Sequence, residues 1–333
     1  MSQDRFHLGD FRLFSGETLR NAHISYETHG RLNADKSNVI VYPTWYAGKH
    51  DSNRPAIGSE RALNPEEFFI VVPDMFCNGL SSSPSNSDAP QDGPRFPDID
   101  VYDNVIAQHS LLRNKFGIEE IRLFAGFSMS AQQAFHWAAL FPDMVHSIAA
   151  ICGSAKTSTH NWLFLEGLRQ ALTADANFKD GDYESPPDLG LRAFSTIYAG
   201  WFASQTFYRQ DLHLSDFEDM NAFLHGIYAT FSNHKSNDLL GMLNTWQHGD
   251  IGKHPRFNND CASALSSIRA KAIVMPCATD LYFPPQDSQM EVSQMPNAEL
   301  RVLSSEMGHL AGLPRVDARA DTVIEDALDE LLS

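Results

Sequence analysis

Six short runs of apolar residues, each closed by turn-forming residues, recur along the 333-residue chain. The runs are NVIVYP from Asn38, FFIVVP from Phe68, IRLFAG from Ile121, HSIAAICG from His146, KAIVMPC from Lys271 and ELRVLSS from Glu299. Continuous apolar runs of this length are typical of strands covered on both faces, as in a parallel sheet. Helical patterns separate them, and the chain ends in an amphipathic one, ARADTVIEDALDELLS. This alternation predicts an α/β fold with a mostly parallel, doubly wound sheet.

A long segment between the fourth and fifth runs breaks the alternation. Residues 155–260 are helix-like and contain no convincing strand; their aromatic residues include Trp162, Trp201, Phe202, Tyr208 and Trp246. Because a core strand precedes the segment and another follows it, we predict an insertion rather than a terminal domain. Residues 1–154 and 261–333 would form the core, and residues 155–260 a helical lid over the carboxyl ends of the strands, where α/β proteins bind ligands.

The charge balance limits the classes of partner. The chain has 25 basic and 42 acidic residues, a net charge of −17. Such a chain repels phosphate backbones and anionic lipid, so we expect a small-molecule substrate rather than nucleic acid or a membrane. No stretch approaches the roughly 18 apolar residues of a membrane span, and the start, MSQDRFHLGDFRLFSGETL, lacks the features of a signal peptide. These features predict a cytoplasmic protein.

No metal-binding or nucleotide-binding motif occurs in the sequence. The four cysteines are far apart and form no C-x-x-C pair, and the lid histidines show no H-E-x-x-H spacing. Neither G-x-G-x-x-G nor a Walker sequence is present. We therefore predict no metal and no bound cofactor.

Ser128 lies between a predicted strand and a predicted helix, in AGFSMSAQQAFHW. A nucleophile elbow has this context, and it needs small residues two positions before and after the serine. Gly126 and Ser130 meet that need. The N–H of Met129, at the start of the following helix, would then stabilise a developing oxyanion. Taken alone, G-x-S-x-S fits an ordinary serine-rich turn equally well.

A nucleophilic serine also needs a base and an acid that orients the base. Asp280 follows the apolar run KAIVMPC, and His309 follows the next run, behind Gly308. This order, serine, acid and histidine, each after a core strand, is that of the α/β hydrolases. The coincidence of three positions predicts the triad Ser128, Asp280 and His309.

Alternatives exist for each member of the triad. Asp287 is a second acid beyond the Pro-Pro turn, Ser130 is a second serine on the helix, and His309 fits a surface loop as well. We prefer the triad because Asp287 falls inside a predicted helix. Ser130 lies too far along the helix that follows the turn.

The second oxyanion donor is expected in TWYAGKHD, the loop after NVIVYP. The backbone N–H of Thr44 is the first choice and that of Trp45 the alternative, with Trp45 also a candidate substrate contact. A simple strand-to-loop turn is the alternative interpretation of this segment.

Beyond these single positions, the chain resembles the homoserine O-acetyltransferase family of the α/β-hydrolase superfamily along most of its length. AHISYETHGRLNADKSNVIV, FPDIDVYDNVIAQHSLL, GFSMSAQQAFHWAALFPD, ATDLYFPP and MGHLAGL are similar to family segments. The resemblance implies an α/β-hydrolase fold and the same triad.

Some positions depart from the family pattern. The family elbow has glycine where this chain has Phe127, Ser130 and Ala131, and its Gly-His-Asp becomes Gly-His-Leu here. In the lid, the arginine expected to bind the substrate carboxylate aligns with Ser195, while Arg192 lies one helical turn earlier. Both are candidate substrate contacts, and the departures put the acyl acceptor in question.

The combined prediction is an enzyme that works through an acyl-Ser128 intermediate. The resemblance favours an acyltransferase of the homoserine O-acetyltransferase type, with acetyl-CoA as a candidate acyl donor. A serine esterase for small esters is the alternative, and a non-catalytic binding protein on the same fold is the second. The aromatic lid is a candidate homodimer interface.

Overall fold

A mixed eight-stranded sheet organises the chain in this computed structural model, which describes residues 1–333. The strands are β1 (Ser2–Arg12), β2 (Thr18–His29), β3 (Val39–Val41), β4 (Phe69–Pro73), β5 (Leu123–Phe127), β6 (Ser147–Ile151), β7 (Lys271–Met275) and β8 (Ala298–Leu300). Their order across the sheet is β1-β2-β4-β3-β5-β6-β7-β8. From β4 to β8 all neighbours are parallel, so their carboxyl ends share one edge. The predicted α/β fold with a mostly parallel sheet is confirmed.

Ten α-helices connect and cover the strands. They are α1 (Val101–Ser110), α2 (Met129–Leu140), α3 (Thr159–Thr173), α4 (Asp188–Phe202), α5 (Gln205–Arg209), α6 (Met220–Ser232), α7 (Ser236–Gln247), α8 (Cys261–Ser266), α9 (Pro285–Val292) and α10 (Ala318–Leu332). A π-helical turn over Leu111–Phe116 extends α1 to Gly117, which takes a φ of 63°. None of these helices has the length and hydrophobicity that a membrane crossing requires.

Both faces of the central strands are buried, which explains their unbroken apolar sequences. In β3, Val39 and Val41 belong to the hydrophobic cluster that contains α1 and α2 residues, whereas Ile40 belongs to the cluster that contains α10 residues. Side chains alternate between the two faces of a strand. A strand covered on both faces therefore shows no polar alternation.

The first two strands are missing from the sequence prediction. β1 and β2 form an antiparallel hairpin at the edge of the sheet, and β2 also pairs antiparallel with β4. Most side chains of β1 are exposed. An edge strand that faces solvent has no need of an apolar run, so the signal that marked the other strands is absent here.

The segment between β6 and β7 contains helices α3 to α8 and no strand. A single isolated bridge, Lys156 to Asp250, joins its two ends. Side chains such as Phe164 and Trp246 share one continuous hydrophobic cluster with Phe76 and Phe124 of the sheet region. The exact limits of a separate lid unit, residues 155–260, stay a prediction.

Candidate active site

Ser128 occupies a tight turn between β5 and α2. Its φ of 58° and ψ of −124° lie in a region that L-residues rarely adopt, which indicates a strained backbone. A Cβ on Gly126 would lie 2.3 Å from the Ser130 carbonyl oxygen, and one on Gly153 would lie 2.7 Å from the Ser128 carbonyl oxygen. The elbow therefore requires glycine at position 126, within the turn, and at position 153, on the neighbouring segment after β6.

The structure brings Ser128, His309 and Asp280 into one hydrogen-bonded chain. His309 Nε2 lies 2.9 Å from Ser128 Oγ, and His309 Nδ1 lies 2.7 Å from Asp280 Oδ2. All three side chains are buried. The other carboxylate oxygen, Asp280 Oδ1, accepts hydrogen bonds from the backbone N–H groups of Tyr282 and Phe283 at 2.8 and 3.2 Å. Asp280 is thus fixed in place and holds the imidazole so that Nε2 faces the serine.

The alternative acid and nucleophile lie outside this chain of hydrogen bonds. Asp287 is in the first turn of α9, where burial raises the pKa of its carboxyl, and it makes no bond to His309. Ser130 is fully buried in α2, and its Oγ has no partner. The catalytic roles of the triad remain predictions, but the geometry joins the preferred three residues and none of the alternatives.

Aromatic rings surround the His309 imidazole. The ring centroids of Phe127, Tyr282 and Phe283 lie 4.7, 4.9 and 5.6 Å from its own. Phe127 is held in turn between Trp45, at 5.3 Å, and Gly312, where a Cβ would come within 2.6 Å of its ring. Phe127 therefore does more than replace a family glycine, because it forms the wall beside both the serine and the base.

The N–H of Met129 is free for an oxyanion. Met129 is the first residue of α2, so its N–H has no acceptor within the helix. The positive end of the helix dipole also points at this position.

The structure contradicts Thr44 as the preferred second donor. Its N–H donates to the Pro73 carbonyl oxygen at 3.1 Å, as part of the pairing between the ends of β3 and β4. Its carbonyl oxygen accepts from Gln133 Nε2 at 3.0 Å, and its Oγ1 accepts from the Met75 N–H at 3.0 Å. The alternative, Trp45, lies outside every helix and strand, and its N–H pairs with no backbone carbonyl. Trp45 is the donor that the geometry leaves available.

A buried carboxylate that the sequence analysis did not identify anchors the loop after Trp45. Asp74, directly after β4, accepts from the His50 N–H at 2.9 Å and lies 2.6 Å from His50 Nδ1. Asn78 Nδ2 donates both to Asp74, at 2.8 Å, and to the Gly48 carbonyl oxygen, at 3.2 Å. The bond to Asp74 raises the pKa of His50. The sequence could have indicated this role, because Asp74 directly follows an apolar run and so lies at the carboxyl edge of the sheet, beside the loop that contains Trp45.

The cavity above Ser128 encloses about 380 Å³. Apolar and aromatic side chains form most of its wall, Trp45 among them, and no lysine or arginine contributes to it. The candidate substrate contact at Trp45 therefore fits this position.

The structure places the other two candidate substrate contacts outside the cavity wall. Arg192 is exposed, with its guanidinium carbon 4.1 Å from the centre of the Tyr228 ring. Ser195 is buried and donates to the Leu191 carbonyl oxygen at 2.7 Å. Neither lines the cavity. Both lie on faces of α4 that are directed away from the cavity. A sequence alignment does not report which face of a helix contacts the substrate.

Three potential metal ligands lie close together at the triad. Atoms of Cys152, Asp280 and His309 lie within 4.8 Å of one another. Burial raises the pKa of the Cys152 thiol well above its ordinary value. A thiol binds metal as the thiolate, and Asp280 and His309 already bond to each other, so these three residues are poorly suited to holding an ion.

The fold and the site together define a serine enzyme suited to acyl transfer. A serine hydroxyl against an oriented imidazole can attack a carbonyl carbon, and free N–H groups beside it can hold the resulting oxyanion. The chain belongs to the α/β hydrolase family, since the family described as "alpha/beta hydrolase fold" matches residues 39–315.

Its relatives are named as esterases and acetyltransferases. The chain is 40% identical to the ethyl acetate hydrolase of Pseudomonas veronii, over 98% of this chain and 94% of that protein. It is 38% identical to a probable esterase of Corynebacterium glutamicum, over 97% and 94% of the two chains. The homoserine O-acetyltransferase of Nostoc punctiforme is 30% identical over 91% and 89%. The predicted relation to that family is confirmed.

Among solved structures, the acetyl esterase MekB superposes with a TM-score of 0.96 at 38% identity, over 100% of this chain and 97% of that one. The protein is therefore an enzyme of the α/β hydrolase fold, and the non-catalytic alternative is set aside.

Proposed function

We propose that this protein is an esterase that hydrolyses small apolar acetate esters through an acetyl-Ser128 intermediate. One observation carries the proposal: the cavity beside Ser128 is apolar and has no lysine or arginine in its wall. An ester without charge fits such a cavity, because it needs no ionic partner. The esterase names of the relatives at 38% and 40% identity support the same function.

In the first half-reaction, His309 Nε2 accepts the proton of Ser128 Oγ as that oxygen attacks the ester carbonyl carbon. The carbonyl oxygen becomes an oxyanion held by the N–H groups of Met129 and Trp45. When the bond to the alcohol oxygen breaks, His309 returns the proton to that oxygen and the alcohol leaves. Asp280 keeps the Nδ1–H tautomer throughout and stabilises the imidazolium.

In the second half-reaction, water takes the place of the alcohol. His309 Nε2 accepts a proton from the water as its oxygen attacks the acetyl carbon. The tetrahedral intermediate collapses, Ser128 Oγ recovers its proton from His309, and acetate leaves. One ester and one water give one alcohol and one acetic acid.

Acyl transfer to homoserine, the main sequence prediction, is the less well supported function. A carboxylate in a low-dielectric cavity needs a charged or multiply hydrogen-bonded partner. Arg192 and Ser195 do not reach the cavity. The phosphates of acetyl-CoA would meet the same lack of cations.

The decisive experiment compares water with homoserine as the acceptor. We expect acetate release from phenyl acetate at a rate that homoserine does not change, and no homoserine-dependent CoA release from acetyl-CoA. CoA release that requires homoserine would overturn the proposal in favour of the transferase.

Two serine variants test the intermediate. Ser128→Ala should abolish hydrolysis and labelling by a phosphonate ester, whereas Ser130→Ala, the matched control two residues further along the chain, should retain both. Labelling that survives in Ser128→Ala would exclude the proposed nucleophile.

A further inference from the structure

The lid wall of the active-site cavity contains a histidine with no partner in the protein. His213 lies in a short 3-10 turn, Leu212–Leu214, and lines the cavity that also contains Ser128 and His309. Only 6% of the residue is exposed. Its Nδ1 is fully enclosed and has no hydrogen-bond partner. Nε2 also has no hydrogen-bond partner but is not fully enclosed, so it is the nitrogen that a molecule in the cavity can reach.

The surroundings of His213 supply packing but no polar partner. The ring centroids of Phe207, Tyr208 and Phe223 lie 6.2, 5.5 and 5.6 Å from that of the imidazole. A phenyl ring would pack in such a cage without leaving a buried polar atom unpaired. Buried polar groups without partners destabilise a protein. A ligand bonded to Nε2 would give this imidazole the one hydrogen bond that its position still allows.

The cavity is much larger than an acetyl group. Its 380 Å³ falls in the range of roughly 300–1,000 Å³ that small-molecule sites occupy. Beyond Ser128, the wall comes mainly from lid aromatic and aliphatic residues, including Tyr198, Phe202, Ile227 and Phe231. The alcohol part of the ester must fill this space, so it should be apolar and several carbons long.

Three other polar side chains of the lid wall, those of Ser215, Asp216 and Thr230, present acceptors. Ser215 and Thr230 also line the cavity, but their hydroxyl hydrogens are directed at the carbonyl oxygens of Leu212 and Gly226, at 2.8 and 3.1 Å. Asp216, exposed and also in the wall, offers a carboxylate. A ligand group that donates a hydrogen bond suits this set, and a hydroxyl also suits either tautomer of the imidazole.

We propose that the lid wall around His213 is a binding subsite for a hydroxyl group on the alcohol part of the substrate. The substrate class is then an acetate ester of an apolar diol, with the scissile ester at Ser128 and the free hydroxyl at His213 Nε2. This inference rests on the proposed esterase function and adds the identity of the alcohol part.

The test uses two matched series of substrates: butyl, hexyl and octyl acetate, and the corresponding ω-hydroxyalkyl acetates. For each chain length, the ratio of kcat/KM for the hydroxylated ester to that for the plain ester isolates the contribution of the hydroxyl. We expect the wild-type ratio to peak at the chain length that spans the cavity. In His213→Phe that peak ratio should fall about tenfold, as for the loss of one hydrogen bond in an apolar site.

His225→Phe is the matched control, since His225 is an exposed histidine of α6 outside the cavity wall. Its ratios should equal those of the wild type. His213→Gln keeps a hydrogen-bonding group and should retain part of the peak. If His213→Phe does not fold, as judged by its melting transition, His213→Gln replaces it in the comparison. Inhibition by hexane-1,6-diol relative to hexan-1-ol then measures the contribution of the hydroxyl.

A ratio that is flat across chain lengths, or that is the same in His213→Phe and the wild type, would overturn the hydroxyl subsite while plain acetates are still hydrolysed. Failure to hydrolyse any ester, phenyl acetate included, would instead overturn the esterase function. The two failures are therefore distinguishable.

Discussion

Asp74 and His50 are joined by two hydrogen bonds, one from the backbone N–H and one involving the ring Nδ1, at 2.9 and 2.6 Å. This double contact ties the end of β4 to the loop that follows β3. Trp45, the available oxyanion donor, lies in that loop, and the turn from Trp45 to Gly48 closes with a hydrogen bond of 2.9 Å. The direction of the Trp45 N–H thus depends on a carboxylate that does not itself face the substrate.

Replacing Asp74 should impair the transition state more than substrate binding. In Asp74→Ala the loop loses its anchor, so we expect kcat to fall by about 10- to 100-fold, somewhat less than the roughly 10²–10³ for outright loss of an oxyanion donor. KM for phenyl acetate should change little. Steady-state kinetics check this, with Asp74→Asn as the conservative variant that should recover part of kcat. A rise in KM at constant kcat would argue against the positioning role.

Asp280→Asn should leave the fold intact and reduce kcat by roughly 10³- to 10⁴-fold, because an asparagine cannot hold the Nδ1–H tautomer of His309. Asp287→Asn, which changes the alternative acid, is the matched control and should retain activity. Comparison of kcat for the two variants on phenyl acetate decides between the acids. Greater loss in Asp287→Asn would reverse the assignment.

Gly312→Ala should distort the active site through Phe127. A Cβ at this position would lie 2.6 Å from the Phe127 ring and 3.0 Å from Cys152 Sγ. Overpacking of this kind costs about 1–3 kcal/mol, and the displaced ring would press on His309. We expect kcat/KM to fall at least several-fold. The double variant with Phe127→Leu should recover part of the loss, and a double-mutant cycle that shows strict additivity would contradict the coupling.

Glu291 should make stability depend on pH. Burial raises the pKa of its carboxyl from 4.5 to about 8, and its Oε1 accepts from the Ala155 N–H at 2.7 Å. Between these two pH values the folded protein keeps a proton that the unfolded chain has lost, so stability falls as pH rises through this window.

Glu291→Gln removes that dependence. Its free energy of unfolding relative to the wild type should increase between about pH 5 and pH 8, by an amount on the order of a few kcal/mol. Denaturant melts at several pH values measure the difference, with the exposed Glu60→Gln as the control that should show none. Parallel curves for Glu291→Gln and the wild type would mean that the carboxyl is ionised in the folded state.

The buried strands and the three-residue hydrogen-bonded chain were predictable because each depends on local sequence. An apolar run closed by a turn marks a strand covered on both faces, and parallel strands deliver their following residues to one edge. Ser128 and Asp280 follow such runs, and His309 follows β8, a partly exposed edge strand of the same parallel set. Their proximity therefore needed no knowledge of side-chain packing.

The features that the sequence did not reveal depend on pairing between distant segments. Whether Thr44 or Trp45 offers a free N–H is decided by the bond from the Thr44 N–H to Pro73, a residue far along the chain on another strand. Whether Arg192 and Ser195 face the cavity depends on how α4 is rotated against its neighbours. His213 is one of fourteen histidines, and only the packed lid shows that it reaches the cavity without a partner.

The hydrophobic cluster that runs without a break from the sheet into the lid links catalysis to stability. Phe202, Phe223 and Phe231 belong to that cluster and also line the cavity. A substitution that reshapes the space for the alcohol is therefore also a change to the protein's interior, and is expected to alter the melting temperature as well as the substrate preference. Enzymes with this architecture would acquire new substrates most readily after substitutions elsewhere had raised their stability. Exchanging the lid helices as an independent unit would expose apolar surface on both the lid and the sheet region.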